Sequence, residues 1–113
     1  FYFIKNAKAE LKKTPETQND ITKAYKEAAI QNNGIAVLVG DAWVNASKLK
    51  PEYDLYSEDG SHPSYLGTFL SACVFIKTLT GELPKEINNQ KTELIGLNDL
   101  QSYLKIVNSI LEQ

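Results

Sequence analysis

The sequence has 113 residues and a formal net charge of −2, which suits one small domain with a core of its own. It contains no arginine, the residue on which bidentate recognition of phosphates and bases largely depends, so we expect no nucleic-acid partner. No apolar run approaches the ~20 residues needed to span a bilayer, and the first residues do not resemble a signal peptide. Methionine is absent and Cys73 is the single cysteine, so we expect a processed product or a fragment without an internal disulfide. A single cysteine does not indicate whether the protein works inside or outside the cell.

The N-terminal part of the chain predicts the end of a strand and then a helix. The apolar run Phe1–Ile4 is typical of a buried strand, although four residues do not separate strand from helix. A helix is predicted from about Thr17 to Asn32, with Thr17 or Asn19 as its cap and Asn32–Gly34 as its stop. Its apolar stripe follows helical spacing and consists of Ile21, Ala24, Tyr25, Ala28 and Ala29.

The next stretch predicts a strand of a parallel sheet. Ile35–Val39 is continuously apolar between two glycines, which is typical of a strand covered by helices on both faces. A helix followed directly by such a strand is half of a βαβ unit, so an α/β fold is expected. The turn Gly40–Trp43 would then lie at the carboxyl end of the strand, where ligands bind in open sheets. Trp43 is therefore a candidate substrate-binding residue, although packing against the core edge explains it at least as well.

Two helices separated by an acidic loop are predicted next. The first is short, from about Val44 to Lys50, and the loop covers Glu52–Ser61. The second is long, begins at Pro63 or Ser64 and ends at Thr80, with Gly81 as its C-terminal stop. Apolar residues occupy two of its faces, so we expect it to be buried nearly all round; they are Leu66, Phe69, Leu70, Cys73 and Val74 on one face and Ala72, Phe75, Ile76 and Leu79 on the other. Inside this pattern, Cys73 is expected to be an inert core thiol.

The C-terminal end predicts a loop and a final amphipathic helix. Glu82–Leu97 is polar and contains Pro84, so it predicts a surface loop. The helix is predicted from about Asp99 to Leu111, with Asn98 as its N-cap. Its apolar stripe should dock on the rest of the domain; it consists of Leu100, Tyr103, Leu104, Val107 and Leu111.

The candidate functional residues lie in the turn-forming stretch Asp59–Gly67. It contains the single histidine, His62, three residues after Asp59 and just before the long helix. A histidine paired with a carboxylate at a rigid helix start is how many hydrolases hold a general base. The same residues are also typical of a structural turn, because Asp-Gly favours turns and proline is common at the first position of a helix. Spacing alone leaves both interpretations open.

This block resembles the last motif of the SGNH (GDSL-type) serine hydrolases. The family pattern Asp-x-x-His-Pro-Ser-x-x-Gly, followed by an apolar helix, matches Asp59 to Gly67 and the helix after it. A helix, a strand and the turn Gly40–Trp43 upstream are also similar to one branch of the family. The resemblance covers about residues 22 to 84. A bare Asp-x-x-His is a weak signal, but the full run with Pro, Ser, Gly and the helix in register is fairly specific.

The resemblance implies a Ser–His–Asp hydrolase of small-molecule or carbohydrate esters without a cofactor. It also implies the C-terminal portion of a flavodoxin-like three-layer α/β/α sandwich with a parallel sheet. By position, His62 would be the general base for the nucleophilic serine, and Asp59 would hold the imidazole in the correct tautomer. Residues 1–113 would form a single domain or the C-terminal portion of a hydrolase domain.

The departure from the family is the missing nucleophile. No serine follows a strand and a glycine as the family's N-terminal block requires, and this holds for Ser47, Ser57, Ser61, Ser64, Ser71, Ser102 and Ser109. The Gly and Asn blocks of the oxyanion hole are missing too. We therefore expect the missing N-terminal portion of the same hydrolase to be a partner of this chain.

Two other functions stay open. The chain could be a non-catalytic α/β binding or assembly module that keeps the same scaffold. A metal site is a more distant alternative, since a single histidine without a cysteine partner makes a poor set of transition-metal ligands, whereas calcium in the acidic loop is possible; the nearby candidates are Asp54, Glu58, Asp59 and His62.

Overall fold

A computed structural model describes residues 16–83 and 100–112 of the chain. These residues form four helices, which are α1 (Thr17–Gln31), α2 (Val39–Leu49), α3 (Tyr65–Thr80) and α4 (Leu100–Leu111). The described residues contain no strand longer than an isolated antiparallel bridge between Tyr56 and Pro63. The predictions for Phe1–Ile4, for residues 84–97 of the loop and for the Asn98 cap lie outside the described residues.

The predicted parallel-sheet α/β fold, and with it the flavodoxin-like α/β/α sandwich, is wrong for the part of the chain that the structure describes. Residues 34–38 are irregular, Ile35 is 67% exposed, and Val39 begins α2. A strand needs a neighbour for its backbone N–H and C=O groups, and the described residues supply none beside this segment. The apolar run was too short to separate a strand from the approach to a helix.

The helix that replaces the strand has its own apolar stripe. Its buried residues recur at i, i+3, i+4 and i+7, which is one face of a helix; they are Val39, Ala42, Trp43 and Ala46. The short helix predicted from Val44 is therefore the second half of a longer one.

The core lies between α2, α3 and α4. Leu70 of α3 and Leu104 and Val107 of α4 are fully buried. Tyr103 lies edge-on to Tyr53 from the loop after α2 and tilted against Phe69 of α3. The Nζ of Lys77 on α3 donates to the carbonyl of Leu111 at 2.5 Å. A cation therefore lies at the C-terminal end of α4, where it interacts favourably with the helix dipole. Tyr103, Leu104 and Val107 of the predicted stripe are buried, which confirms for these residues that α4 docks through an apolar face. Ile110, which the prediction did not include, is buried as well.

The contact between α2 and α3 is close because Gly67 has no side chain. A Cβ at this position would collide with the carbonyl oxygen of Leu55 and would lie 2.8 Å from the Trp43 ring. Trp43 also donates its Nε1–H to the Ser71 hydroxyl at 3.0 Å, and that hydroxyl donates to the Gly67 carbonyl at 2.8 Å. Packing and hydrogen bonding thus fix the indole against the first turns of α3.

The long helix α3 has the predicted ends but not the predicted burial. Ser64 caps its start, and Gly81 ends it with a φ of 80°. The prediction that α3 is buried all round is wrong, since Phe75, Ile76 and Leu79 are 40%, 42% and 61% exposed. One apolar face of α3 packs in the core and the other meets solvent.

Helix α1 lies at the edge of this core. None of its fifteen residues is buried. It is joined to α2 by the Thr22 hydroxyl, which lies 2.9 and 3.0 Å from the two carboxylate oxygens of Asp41. The Gln18 side chain covers Gly40, where a Cβ would lie 2.6 Å from its Cδ atom. The prediction of this helix from its periodicity is confirmed, while its packing against a sheet is not.

Candidate active site

The stretch Asp54–Ser64 is a tight loop fixed to the start of α3. The Ser57 N–H donates to the carbonyl of His62 at 2.8 Å, and the Ser64 N–H donates to that of Leu55 at 2.8 Å. The turn between these bonds contains Gly60 with a φ of 69°, a left-handed conformation that glycine adopts without strain. The loop therefore doubles back and places His62 one turn before the helix.

The hydroxyl of Ser64 joins the loop to the helix. It accepts the N–H of Gly67 at 3.1 Å, which caps α3, and donates to the carbonyl of Asp54 at 2.9 Å. A serine N-cap satisfies one of the unpaired N–H groups of the first turn. The same side chain thus fixes where the helix begins and where the loop begins.

The carboxylate of Asp59 is held by donors from its own loop. Its Oδ1 accepts the Ser57 hydroxyl at 2.8 Å and the N–H groups of Ser61 and His62 at 2.9 Å each. These bonds favour the ionised form. The N–H groups of His62 and Ser61, then the imidazole of His62 and the hydroxyl of Ser57, hold the pKa of Asp59 well below its usual range.

The second oxygen of Asp59 faces the imidazole. Its Oδ2 lies 2.5 Å from Nδ1 of His62. Since an ionised carboxylate only accepts hydrogen bonds, Nδ1 carries the proton of this bond, and in the neutral form of the ring the lone pair therefore lies on Nε2. The side chain of His62 is 75% exposed. This arrangement can take a proton from a hydroxyl that approaches Nε2, which is the chemistry of a general base.

Trp43 lies behind the loop and does not line its surface. It is 4% exposed, and its ring meets that of Tyr56 edge-on with the centroids 4.9 Å apart. Burial and the nearby Asp54 carboxylate raise the pKa of the Tyr56 hydroxyl. The structure thus places Trp43 in the core, supporting the loop through Tyr56.

The hydroxyls of Ser57, Ser64 and Ser71 are bonded to groups other than the His62 imidazole, and Cys73 is buried in the core. Ser57 donates to Asp59, Ser64 caps α3, and Ser71 bonds Trp43 and Gly67 inside the core. Burial raises the pKa of the Cys73 thiol to about 11, in agreement with the prediction of a core thiol. In the described ranges no three His, Cys, Asp or Glu side chains lie together as metal ligands would.

Sequence reasoning missed the role of Ser57 in this loop. Serine two residues before an aspartate in a turn is a known signal for side-chain bonds to the local chain. The sequence predicted of Ser57 only that it is not the nucleophile, whereas its hydroxyl bonds Asp59 in the structure. The pairing of Asp59 with His62 was predicted, and the structure brings the two side chains together.

Comparison with protein-family models, curated proteins and solved structures found no match to this chain. Among the helices in residues 16–83 and 100–112, none has the length and apolarity that crossing a membrane requires.

Proposed function

We propose that Asp59 and His62 are the acid–base pair of a serine ester hydrolase of the SGNH (GDSL) type. The observation that carries the proposal is the 2.5 Å contact between Asp59 Oδ2 and His62 Nδ1, with Oδ1 already occupied by three donors. The motif Asp-x-x-His-Pro-Ser-x-x-Gly resembles the family pattern. The family's parallel sheet is not found in residues 16–83 and 100–112, so the proposal rests on the motif and on the Asp59–His62 contact. The nucleophilic serine and the oxyanion donors come from outside this loop, in the missing portion of the hydrolase.

In the proposed mechanism, Asp59 orients the imidazole of His62 through Oδ2 while its Oδ1 is held by the loop. His62 Nε2 removes the hydroxyl proton of the nucleophilic serine as the serine oxygen attacks the carbonyl carbon of the ester. The imidazolium then gives this proton to the departing alcohol, which leaves an acyl-enzyme that water hydrolyses by the same proton transfers. Because the pKa of Asp59 is held well below its usual range, the carboxylate stays ionised and stabilises the imidazolium without taking its proton.

The substrates that fit this chemistry are esters of small alcohols or of carbohydrates. The 75% exposed imidazole favours a substrate that approaches from solvent over one enclosed in a pocket of this chain. No cofactor is needed, because the proton moves only between serine, histidine and the leaving group.

The first test uses the purified 113-residue chain and an activated aryl ester. We expect no hydrolysis beyond that given by free imidazole at the same concentration, since the chain supplies the base without its serine. Burst kinetics that are lost in His62→Ala would contradict the proposal that the nucleophilic serine lies outside residues 1–113, because a burst indicates an acylated residue in this chain.

The second test uses the complete gene product and a fluorophosphonate probe. We expect labelling of one serine outside residues 1–113, slowed about 10²–10⁴-fold by His62→Ala because a general base is lost. Ser109→Ala, an exposed change on α4, is the matched control. If no serine is labelled, the hydrolase proposal fails.

A non-catalytic binding or assembly role is the second candidate. The exposed apolar side chains of Phe75, Ile76 and Leu79 on α3 favour it, because grouped apolar residues on a surface are typical of interaction sites. The fluorophosphonate experiment separates the two candidates, since a binding module needs no labelled serine.

A further inference from the structure

We propose that Ser57 is a positioning residue of the Asp59–His62 pair. Its hydroxyl donates to Asp59 Oδ1 at 2.8 Å, and its N–H donates to the His62 carbonyl at 2.8 Å. One residue therefore holds both partners. The catalytic meaning of this role rests on the proposed hydrolase function, while the positioning itself does not.

The hydroxyl of Ser57 fixes the rotation of the carboxylate. The Asp59 side chain has a broad, roughly two-fold preference for the torsion that turns its carboxylate plane. The three donors on Oδ1 select one orientation, and in it Oδ2 points at Nδ1 of His62. Two of the donors are backbone N–H groups that remain with any side chain, so the Ser57 hydroxyl is the only one that a substitution at position 57 removes.

The N–H of Ser57 fixes the other partner. Its bond to the His62 carbonyl closes the loop across Gly60 and sets the distance between the two main-chain segments. This bond persists when the side chain is changed. Ser57→Ala therefore removes one contact to the carboxylate and leaves the loop closed, whereas Ser57→Thr keeps both contacts.

The orientation of the carboxylate determines which nitrogen of His62 carries the proton. The Oδ2 contact selects the tautomer with the proton on Nδ1, which leaves Nε2 as the base. A carboxylate that rotates away releases this selection. The consequence of losing the Ser57 hydroxyl is thus a change in tautomer, which a purely structural role would not produce.

The experiment measures the tautomer of His62 by ¹⁵N NMR of the imidazole in the 113-residue chain. His62 is the single histidine, so its signals need no assignment. At a pH where the ring is neutral, we expect wild type and Ser57→Thr to favour Nδ1–H. In Ser57→Ala the ratio of Nδ1–H to Nε2–H should fall about two- to tenfold, the effect of one hydrogen bond.

The matched control is Ser47→Ala, the same change at an exposed position on α2, and it should leave the ratio unchanged. Far-UV circular dichroism shows whether each variant keeps its helices. An equal ratio in wild type and in folded Ser57→Ala overturns the proposal. A ratio that falls equally in Ser57→Ala and Ser57→Thr also overturns it, because the hydroxyl would then not be the cause.

The outcome is independent of the hydrolase proposal. If the tautomer shifts in Ser57→Ala and the complete gene product is never labelled by a fluorophosphonate, Ser57 is confirmed as a positioning residue and the hydrolase function is refuted. If labelling occurs and the tautomer does not shift, the hydrolase stands and the role of Ser57 is refuted.

Discussion

The hydroxyl of Ser71 shows how one side chain can support the core. It lies 8% exposed among apolar neighbours, accepts the indole N–H of Trp43 and donates to the Gly67 carbonyl. Buried polar groups destabilise a fold unless they are hydrogen-bonded. Here one hydroxyl bonds two buried groups, the indole N–H of Trp43 and the carbonyl of Gly67. The fixed indole then supports Tyr56 and, through it, the loop that carries His62.

Replacing Ser71 by alanine should destabilise the protein. The buried indole N–H would lose its bond to the Ser71 hydroxyl, and we expect this to lower the free energy of unfolding by about 1–3 kcal/mol. Urea unfolding followed by far-UV circular dichroism measures this difference. Ser109→Ala on the exposed side of α4 should change stability by about 0.5 kcal/mol or less. A Ser71→Ala protein as stable as wild type would show that the indole finds another acceptor.

At the residue scale the sequence predicted the pair but not its supports. The spacing of Asp59 and His62 left a catalytic pair and a structural turn both open, and the resemblance of the surrounding motif to the SGNH hydrolases favoured the pair. The bond between Trp43 and Ser71 joins residues 28 positions apart. Such a contact depends on how α2 crosses α3, and no local pattern contains that information.

The helices differ in how firmly they are held. Helices α2, α3 and α4 each place buried apolar residues in the shared core. Helix α1 buries none of its residues and is joined to α2 by the bonds of Thr22 to Asp41 and the cover of Gln18 over Gly40. Regions with few buried apolar contacts open at low free energy.

Thr22→Val should loosen α1 without unfolding the molecule. Valine has nearly the shape of threonine but cannot donate to Asp41, so local opening becomes easier. We expect the amides of α1 to exchange with deuterium about 3- to 30-fold faster while those of α3 keep their wild-type rates.

Lys23→Ala is the matched control on the same helix. It removes the exposed ion pair of Lys23 with Glu27, whose nitrogen and oxygen lie 3.9 Å apart, and should alter exchange about twofold or less. Equal rates in Thr22→Val and wild type would show that α1 is held by something other than this bond.

At the scale of elements, periodicity predicted three of the four helices found in residues 16–83 and 100–112, and the start of α2 was mistaken for a strand. The sequences of α1, α3 and α4 have apolar stripes, and α1 and α3 end at the predicted stops Asn32 and Gly81. The cap predicted at Thr17 or Asn19 is wrong, since the N-cap of α1 is Glu16 and its side chain makes no capping bond. The run Ile35–Val39 has no period, so its interpretation as a strand depended on neighbours that the sequence could not supply. The stripe of α2 overlaps the end of that run at Val39, which hid the start of the helix.

The part of the chain that the structure describes combines an apolar core between α2, α3 and α4 with a charged loop before α3. The loop of residues 54–64, which contains Asp59 and His62 (the Asp59–His62 loop), is attached to the start of α3 through the Ser64 hydroxyl. Protonation of Asp59 should therefore lower the free energy of unfolding, because the hydrogen bonds to its carboxylate form only in the folded loop.

This coupling predicts how stability depends on pH. The pKa of Asp59 is lower in the folded chain than in the unfolded one, so the carboxylate stabilises the fold fully above the unfolded value of about 3.9. The contribution is lost as the pH falls from there toward the folded value. We expect Asp59→Asn to be less stable than wild type at pH 6, and the difference to shrink between about pH 5 and pH 2.

Urea unfolding at several pH values measures this difference, with the fluorescence of Trp43, the single tryptophan, as the signal. Asp20→Asn on the exposed face of α1 controls for the loss of one negative charge. A gap between wild type and Asp59→Asn that stays constant down to pH 2 would contradict the proposed role of the carboxylate.

The hydrogen bonds described for the Asp59–His62 loop join residues two to ten positions apart in the chain. Closing a loop of ten residues takes about 10–100 ns and costs little chain entropy. The core contact between Trp43 and Ser71 spans 28 positions and requires two helices to meet. We therefore expect these short-range bonds to close before the contact between Trp43 and Ser71 forms. For the hydrolase that we propose, the serine would then meet a base that its own loop has oriented.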